Sequence, residues 1–199
     1  MSADRTALAR ISALVKALCS GHLFFGTPES TAVRLPLGSE PRESSPDCIF
    51  RSMVEGRAKV PRKVSETPGT MVIGDHRPVA THHLLVLPRA PILSVLSLEP
   101  TAEDVNLIEE MVEAGKQALR DLNAPGPESE WVLGFHVPPF TSVDHLHLHC
   151  IAGPLTWRGR LKFYFNRAFY ASASAVLTRL QHLYAKTPEL DGHSALSRV

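Results

Sequence analysis

The strictest alternation of apolar and polar residues in the chain is TSVDHLHLHCI, residues 141–151. Leu146, Leu148 and Cys150 fall on one side, and His145, His147 and His149 on the other. A period of two is that of a half-buried strand, so DHLHLHCI is predicted to be one. WVLGFHV, before it, reads as another strand. KVSETPGTMVIGD reads as two strands joined at Pro68-Gly69, with proline presetting the first turn residue and glycine supplying positive φ at the second. THHLLVLP adds a further strand, closed by Pro88.

Between these strands the period changes to that of a helix. In PTAEDVNLIEEMVEAGKQALRDLN, residues Val105, Ile108, Val112, Gly115, Leu119 and Leu122 form one stripe. Thr101 and Asp104 resemble a capping box, and APGP at 124–127 stops the helix. Strands, one helix, then strands again predict an α+β fold built on an antiparallel sheet.

The flanks differ from this centre. Leu8, Ile11, Val15 and Leu18 predict an amphipathic helix over residues 3–20. Prolines 28, 36, 41 and 46 among serines and charges then read as a linker or loosely held arm. Beyond Trp157 the chain holds six Lys/Arg and no Asp or Glu as far as Lys186. Leu161, Phe165, Phe169, Val176 and Leu180 in that tail match the buried face of a helix. Its interleaved aromatics and cations would also suit single-stranded nucleic acid. The expected organisation is 1–46, helix and linker; 47–155, catalytic domain; 156–199, basic helical tail.

Composition narrows this little. The net charge is +1, which argues neither for nor against a nucleic-acid partner. Three widely spaced cysteines do not read as a disulfide framework, so a reducing, cytoplasmic and also nuclear location is expected. No apolar run reaches membrane-spanning length, and no membrane partner is expected.

The row of histidines carries the chemistry. Alternate side chains on a strand lie about 6.5–7 Å apart, too far for the rings to bond each other but suited to contacts along one ligand. His-x-His on a strand is a zinc-ligand spacing. It also suits covalent catalysis, with one imidazole as nucleophile and its neighbours on a phosphate. The spacing alone leaves both open. Asp75, suited to a ribose diol, precedes His83 on a second histidine-bearing strand, and Ser142 lies just upstream of the triple. That inventory describes a nucleotide site better than a metal cage.

HLHLHCI matches the His-φ-His-φ-His-φ-φ signature of the histidine triad nucleotide hydrolases, and DHRPVATHHLLVLP resembles that family's second signature. The likeness spans about Cys48 to Pro154, and GFHVPPFTSVDHLHLH with the paired His82-His83 resembles the third Hint-type branch. The GFH element is also similar to aprataxin-like members. The resemblance implies a five-stranded antiparallel sheet with a main helix, a purine nucleoside monophosphate or phosphoramidate as ligand, and hydrolysis through a nucleotidyl-histidine. By motif position His147 is the nucleophile, flanked by His145 and His149. His83 faces it, Ser142 helps the leaving group, and Asp75 takes the ribose hydroxyls. Phe50, Met53 and Ile73 are candidates for the base-binding wall, and His136 for a phosphate or leaving-group contact. His82 alternates to the opposite face.

Two departures from the resembled pattern matter. CIFR has Cys48 but Arg51 where relatives place a second cysteine, and Pro91 stands where they have a histidine, so their structural zinc is not expected and no cofactor is. Pro138 and Pro139 replace a glycine-rich loop before the triad, which bears on the leaving group. The leading expectation is a nucleoside 5′-phosphoramidate hydrolase. The alternatives are a deadenylase acting on adenylated nucleic acid ends and a non-catalytic purine-nucleotide-binding adaptor. A homodimer is implied by the resemblance only.

Overall fold

The computed structural model describes residues 35–139, 141–157 and 170–187. The predicted helix over 3–20 and the tail positions Leu161, Phe165 and Phe169 lie outside them. In chain order the elements are α1 (Ile49–Val54), β1 (Lys63–Glu66), β2 (Thr70–Gly74), β3 (Ala80–Pro88), α2 (Ala102–Asp121), β4 (Val132–His136), β5 (Leu148–Leu155), β6 (Tyr170–Ser172) and α3 (Ala173–Tyr184). All strand pairs are antiparallel, in the order β1-β2-β3-β5-β4-β6. The α+β class is as expected, but the sheet has six strands rather than five. The sixth comes from the tail, where Phe135 pairs with Ala171 and His136 with Tyr170. Three residues are too short a run to show an alternation in sequence.

Strand alternation splits the sheet into two faces. Val72, Leu84, Val86, Leu148 and Cys150 pack in the main core, covered by α2. Gly115 of α2 sits over Cys150 and Val86, so close that a Cβ there would collide with the sulfur. The buried side of α2 is Ile108, Met111, Gly115, Ala118 and Leu119. This is rotated from the predicted stripe. Leu122 is exposed at the C-cap, while Met111 and Ala118 are buried instead. On the other face Met71, Ile73, Leu85 and Leu87 form a second apolar cluster with Val54, joined by Phe50 and Met53 of α1. Each fully buried Leu or Ile contributes about 1.5–3 kcal/mol.

Three local expectations are corrected. Gly69 does not adopt positive φ. The turn is closed by Thr67, whose hydroxyl accepts from the Thr70 amide at 2.9 Å, and a Cβ at Gly69 would meet the Glu110 carboxylate. The capping box at α2 is half formed. Thr101 accepts from the Asp104 amide, but Asp104 accepts from the Glu99 amide and from Arg42 in a two-pronged pair at 2.7 Å. That Arg42 belongs to the segment read as linker. Leu35 and Ser44 of the same segment are buried, and Ser44 and Leu93 close backbone bonds with Pro91 and Arg42. The packed unit therefore begins no later than Leu35, upstream of the expected start near Asp47. Proline and serine content did not reveal that the arm lies along the loop after β3.

The tail is strand then helix. Ser172 caps α3 by accepting from the Ala175 amide, and Val176 and Leu180 are buried as the spacing predicted. Among the described residues no helix is long and apolar enough to cross a membrane.

Candidate active site

The second face of the sheet carries the histidines. Leu85 of β3 and Gly134 of β4 pair with His149 of β5 from either side. Residues opposite or two apart share a face, so His83, His149 and His136 lie side by side across β3, β5 and β4. His145 and His147 precede β5, which begins at Leu148, so the strand predicted from Asp144 starts four residues late. All three triad rings are buried, at 1%, 7% and 6% exposure for His145, His147 and His149.

The partners of each ring fix its protons. His147 Nδ1 lies 2.7 Å from the carbonyl oxygen of His145. A carbonyl only accepts, so Nδ1 carries the proton and Nε2 the lone pair. His145 turns away from its neighbours. Its Nε2–H donates to the Pro88 carbonyl at 3.0 Å, and its Nδ1 accepts from the Ser44 hydroxyl at 3.1 Å. His149 lies between two further histidines, with Nδ1 at 2.9 Å from His83 Nε2 and Nε2 at 2.8 Å from His136 Nδ1. The triad rings thus do not bond one another, as their spacing predicts; of the three, His149 bonds across strands to His83 and His136.

Burial disfavours charge here. It pushes His145 down to about 4, against the opposing pull of its bond to Pro88. His147 is lowered for the same reason, opposed by the His145 carbonyl and the Asp75 charge. Both rings are therefore neutral at pH 7. Behind the site, burial pushes the Cys150 thiol up to about 12, so it is no nucleophile.

Asp75 sits at the edge of this group. Its Oδ1 accepts from the Arg77 amide at 2.7 Å, and its Oδ2 lies 3.5 Å from His83 Nε2. The Phe50 ring meets His147 edge-on, with centroids 5.3 Å apart. Next to His136 and His147, a small cleft is lined by Val95, Phe135, Thr141 and Val143.

Two groups could gather a cation. His136, His147 and His149, and separately Asp75, His83 and His149, bring three donor atoms within 4.8 Å of one another. Neither group includes Cys48 or His145. At the position of the zinc implied by the resemblance, both nitrogens of His145 are engaged by Pro88 and Ser44. The residues there do not fit that metal.

A family model described as scavenger mRNA decapping enzyme, C-term binding, matches residues 47–162, more than half of the chain. The chain belongs to this family, within the histidine triad superfamily. It is 33% identical over 142 residues to the bifunctional adenosine 5′-phosphosulfate phosphorylase/adenylylsulfatase HINT4 of Arabidopsis thaliana, covering 70% of this chain and 94% of the relative. It is 38% identical over 105 residues to the adenosine 5′-monophosphoramidase HINT3 of Danio rerio, covering 53% of this chain and 64% of the relative. Among solved structures, a HIT family hydrolase from Clostridium thermocellum aligns at 20% identity and a TM-score of 0.49, over 56% of this chain and 94% of that one.

In this histidine triad chain most of the predicted site residues come together. His83, His136, His147, His149 and Asp75 form one connected group. Phe50, Met53 and Ile73 belong to the apolar cluster on the same face. His82, half-buried, lies on the opposite face with Leu84, as its alternation predicts. Ser142 stands apart: it is exposed on the loop, and Thr141 and Val143 face the cleft instead. Sequence reading missed Ser44, whose hydroxyl holds His145, and Tyr170, whose ring meets His136 edge-on at 5.7 Å. Ser44 lies among other serines and prolines, and nothing in that pattern marks one of them.

Proposed function

We propose that the protein is a nucleoside 5′-phosphoramidate hydrolase that acts through a nucleotidyl-imidazole at His147. The observation that carries this is the tautomer of His147. Its lone pair is on Nε2, its ring is neutral, and ring nitrogens of His136, His147 and His149 lie within 4.8 Å of one another. The Nε2 lone pair attacks the α-phosphorus, the P–N bond breaks, and the leaving nitrogen takes a proton. Water then attacks phosphorus, the bond to Nε2 breaks, and the nucleoside monophosphate leaves. Two easier displacements replace one hard one.

Asp75 accepts the ribose hydroxyls, and Phe50, Met53 and Ile73 supply an apolar wall for a purine base. The cleft that His136 and His147 both line is where the phosphoryl group and its leaving group would sit. The names of similar proteins support this class, with amine and sulfate leaving groups both represented. Turnover of adenosine 5′-phosphoramidate, adenosine 5′-phosphosulfate and a 5′-adenylated oligonucleotide, measured side by side, tests the reading. The phosphoramidate is expected to have the highest kcat/KM. Preference for the oligonucleotide would favour the deadenylase reading, and AMP binding with no turnover of any substrate would favour the adaptor.

A further inference from the structure

Three imidazoles outside the attacking ring form a row that crosses the sheet. At one end the main-chain amide of Val79 lies 3.3 Å from His83 Nδ1. His83 Nε2 lies 2.9 Å from His149 Nδ1, and His149 Nε2 lies 2.8 Å from His136 Nδ1. An amide N–H can only donate. A neutral imidazole has one N–H and one lone pair. His83 therefore receives the amide on Nδ1 and carries its own proton on Nε2. The Asp75 carboxylate, 3.5 Å from the same Nε2 and able only to accept, favours the same arrangement. His83 then donates to His149 Nδ1, which places the His149 proton on Nε2. His149 donates in turn to His136 Nδ1, which places the last proton on His136 Nε2.

The row has one direction, and it resists an extra proton. A second proton on any of the three rings would bring two N–H groups face to face. Reversing the whole row would point a His83 Nδ1–H at the Val79 amide.

We propose that this row is a tautomer-setting device in which His83 and His149 are positioning residues and His136 is the terminal hydrogen-bond donor of the site. His147, held by a carbonyl, presents a lone pair. His136, held by a chain that starts at an amide, presents an N–H into the same cleft. The site thus sets a nucleophile and a donor of opposite tautomer side by side, using main-chain groups at both origins. The donor's task, a hydrogen bond to a phosphoryl oxygen of the group attached at His147, rests on the hydrolase reading above. The tautomers do not.

The test is long-range ¹⁵N–¹H correlation NMR of the imidazoles in the full-length protein at pH 7, without substrate. His147 is expected as the Nδ1–H form, and His83, His149 and His136 as neutral Nε2–H forms. Gln at position 83 retains an N–H that can donate to His149, whereas Met does not. His83→Met is expected to mix the tautomers of His149 and His136 and to lower kcat by about 10²-fold, the scale of one lost oriented donor. His83→Gln is expected to keep the tautomers and regain at least about tenfold of that loss, with the KM effect smaller than the kcat effect. An Nδ1–H form at His149 or His136 in the unsubstituted protein overturns the proposal, whatever the variants do. So do equal rates and tautomers in His83→Gln and His83→Met. Expected tautomers in a protein that turns over no phosphoramidate would instead leave the row standing and remove the hydrolase reading.

Discussion

The ring of His147 is held by the main chain of His145: Nδ1 donates to that carbonyl at 2.7 Å, and Nε2 keeps its lone pair. Replacement of His147 by Ala removes that lone pair and leaves Asp75, His83, His149 and Phe50 in place. The rate of phosphoramidate hydrolysis is expected to fall about 10³-fold or more. AMP binding, followed by calorimetry, should stay within about tenfold. Mass spectrometry of a quench that avoids acid should find a nucleoside monophosphate adduct on the peptide holding His147, lost in the Ala variant. An adduct on another residue would contradict the mechanism.

The burial of His145 predicts how stability follows pH. Its folded-state pKa, about 4, lies below the ordinary value of 6.5. Between those values the unfolded chain binds the proton and the folded chain does not, so stability rises with pH there and is lost as pH falls from 6.5 towards 4. At about 1.4 kcal/mol per unit, His145 alone contributes roughly 3 kcal/mol to this loss. His147, lowered by the same cause, adds in the same direction. Urea denaturation at pH 7 and pH 4.5 should show the difference, and His145→Asn should flatten it. An unchanged slope in that variant would mean that other groups carry the pH response.

The sequence was most legible where periodicity and burial coincide. His149 and His83 follow from alternation on β5 and β3, His147 from the same alternation just before β5 begins, and the resemblance supplied their roles. The departures have physical causes. Ser142 was chosen for its hydroxyl and its place before the triad, but loop conformation decides which side chain faces inward, and that has no period to read. Arg42 and Ser44 were hidden because a segment without helix or strand periodicity looks like linker, although one bridge, Glu43 to Ile92, and a few specific bonds tie it down. The sixth strand was hidden by its three-residue length.

The arm is testable through Arg42. Asp104 is fully buried at the start of α2 and depends on Arg42 and the Glu99 amide for its hydrogen bonds. Removing one partner of a buried pair costs about 3–5 kcal/mol, and Arg42, itself partly exposed, should sit at or below the low end. Arg42→Ala is expected to lower the urea midpoint without changing the slope of the transition. Arg42→Ala with Asp104→Asn should recover part of the loss, because the buried charge goes with its partner. A neutral Arg42→Ala would mean that the arm is held elsewhere.

The place of the tail is tested at Gly134. A Cβ there would collide with the Ala171 carbonyl oxygen and the Tyr170 ring, both on β6. Overpacking of this kind costs about 1–3 kcal/mol. Gly134→Ala should therefore destabilise the full-length protein and loosen β6, raising amide exchange at Phe135 and Ala171. The Tyr170 ring also lies edge-on to His136, so the loss should reach the site and lower kcat more than AMP affinity. Tyr170→Ala would remove the ring but not the carbonyl contact, so adding it to Gly134→Ala should relieve only part of the strain. If Gly134→Ala leaves both stability and exchange unchanged, β6 does not pack on β4 in solution, and the sheet ends at its fifth strand.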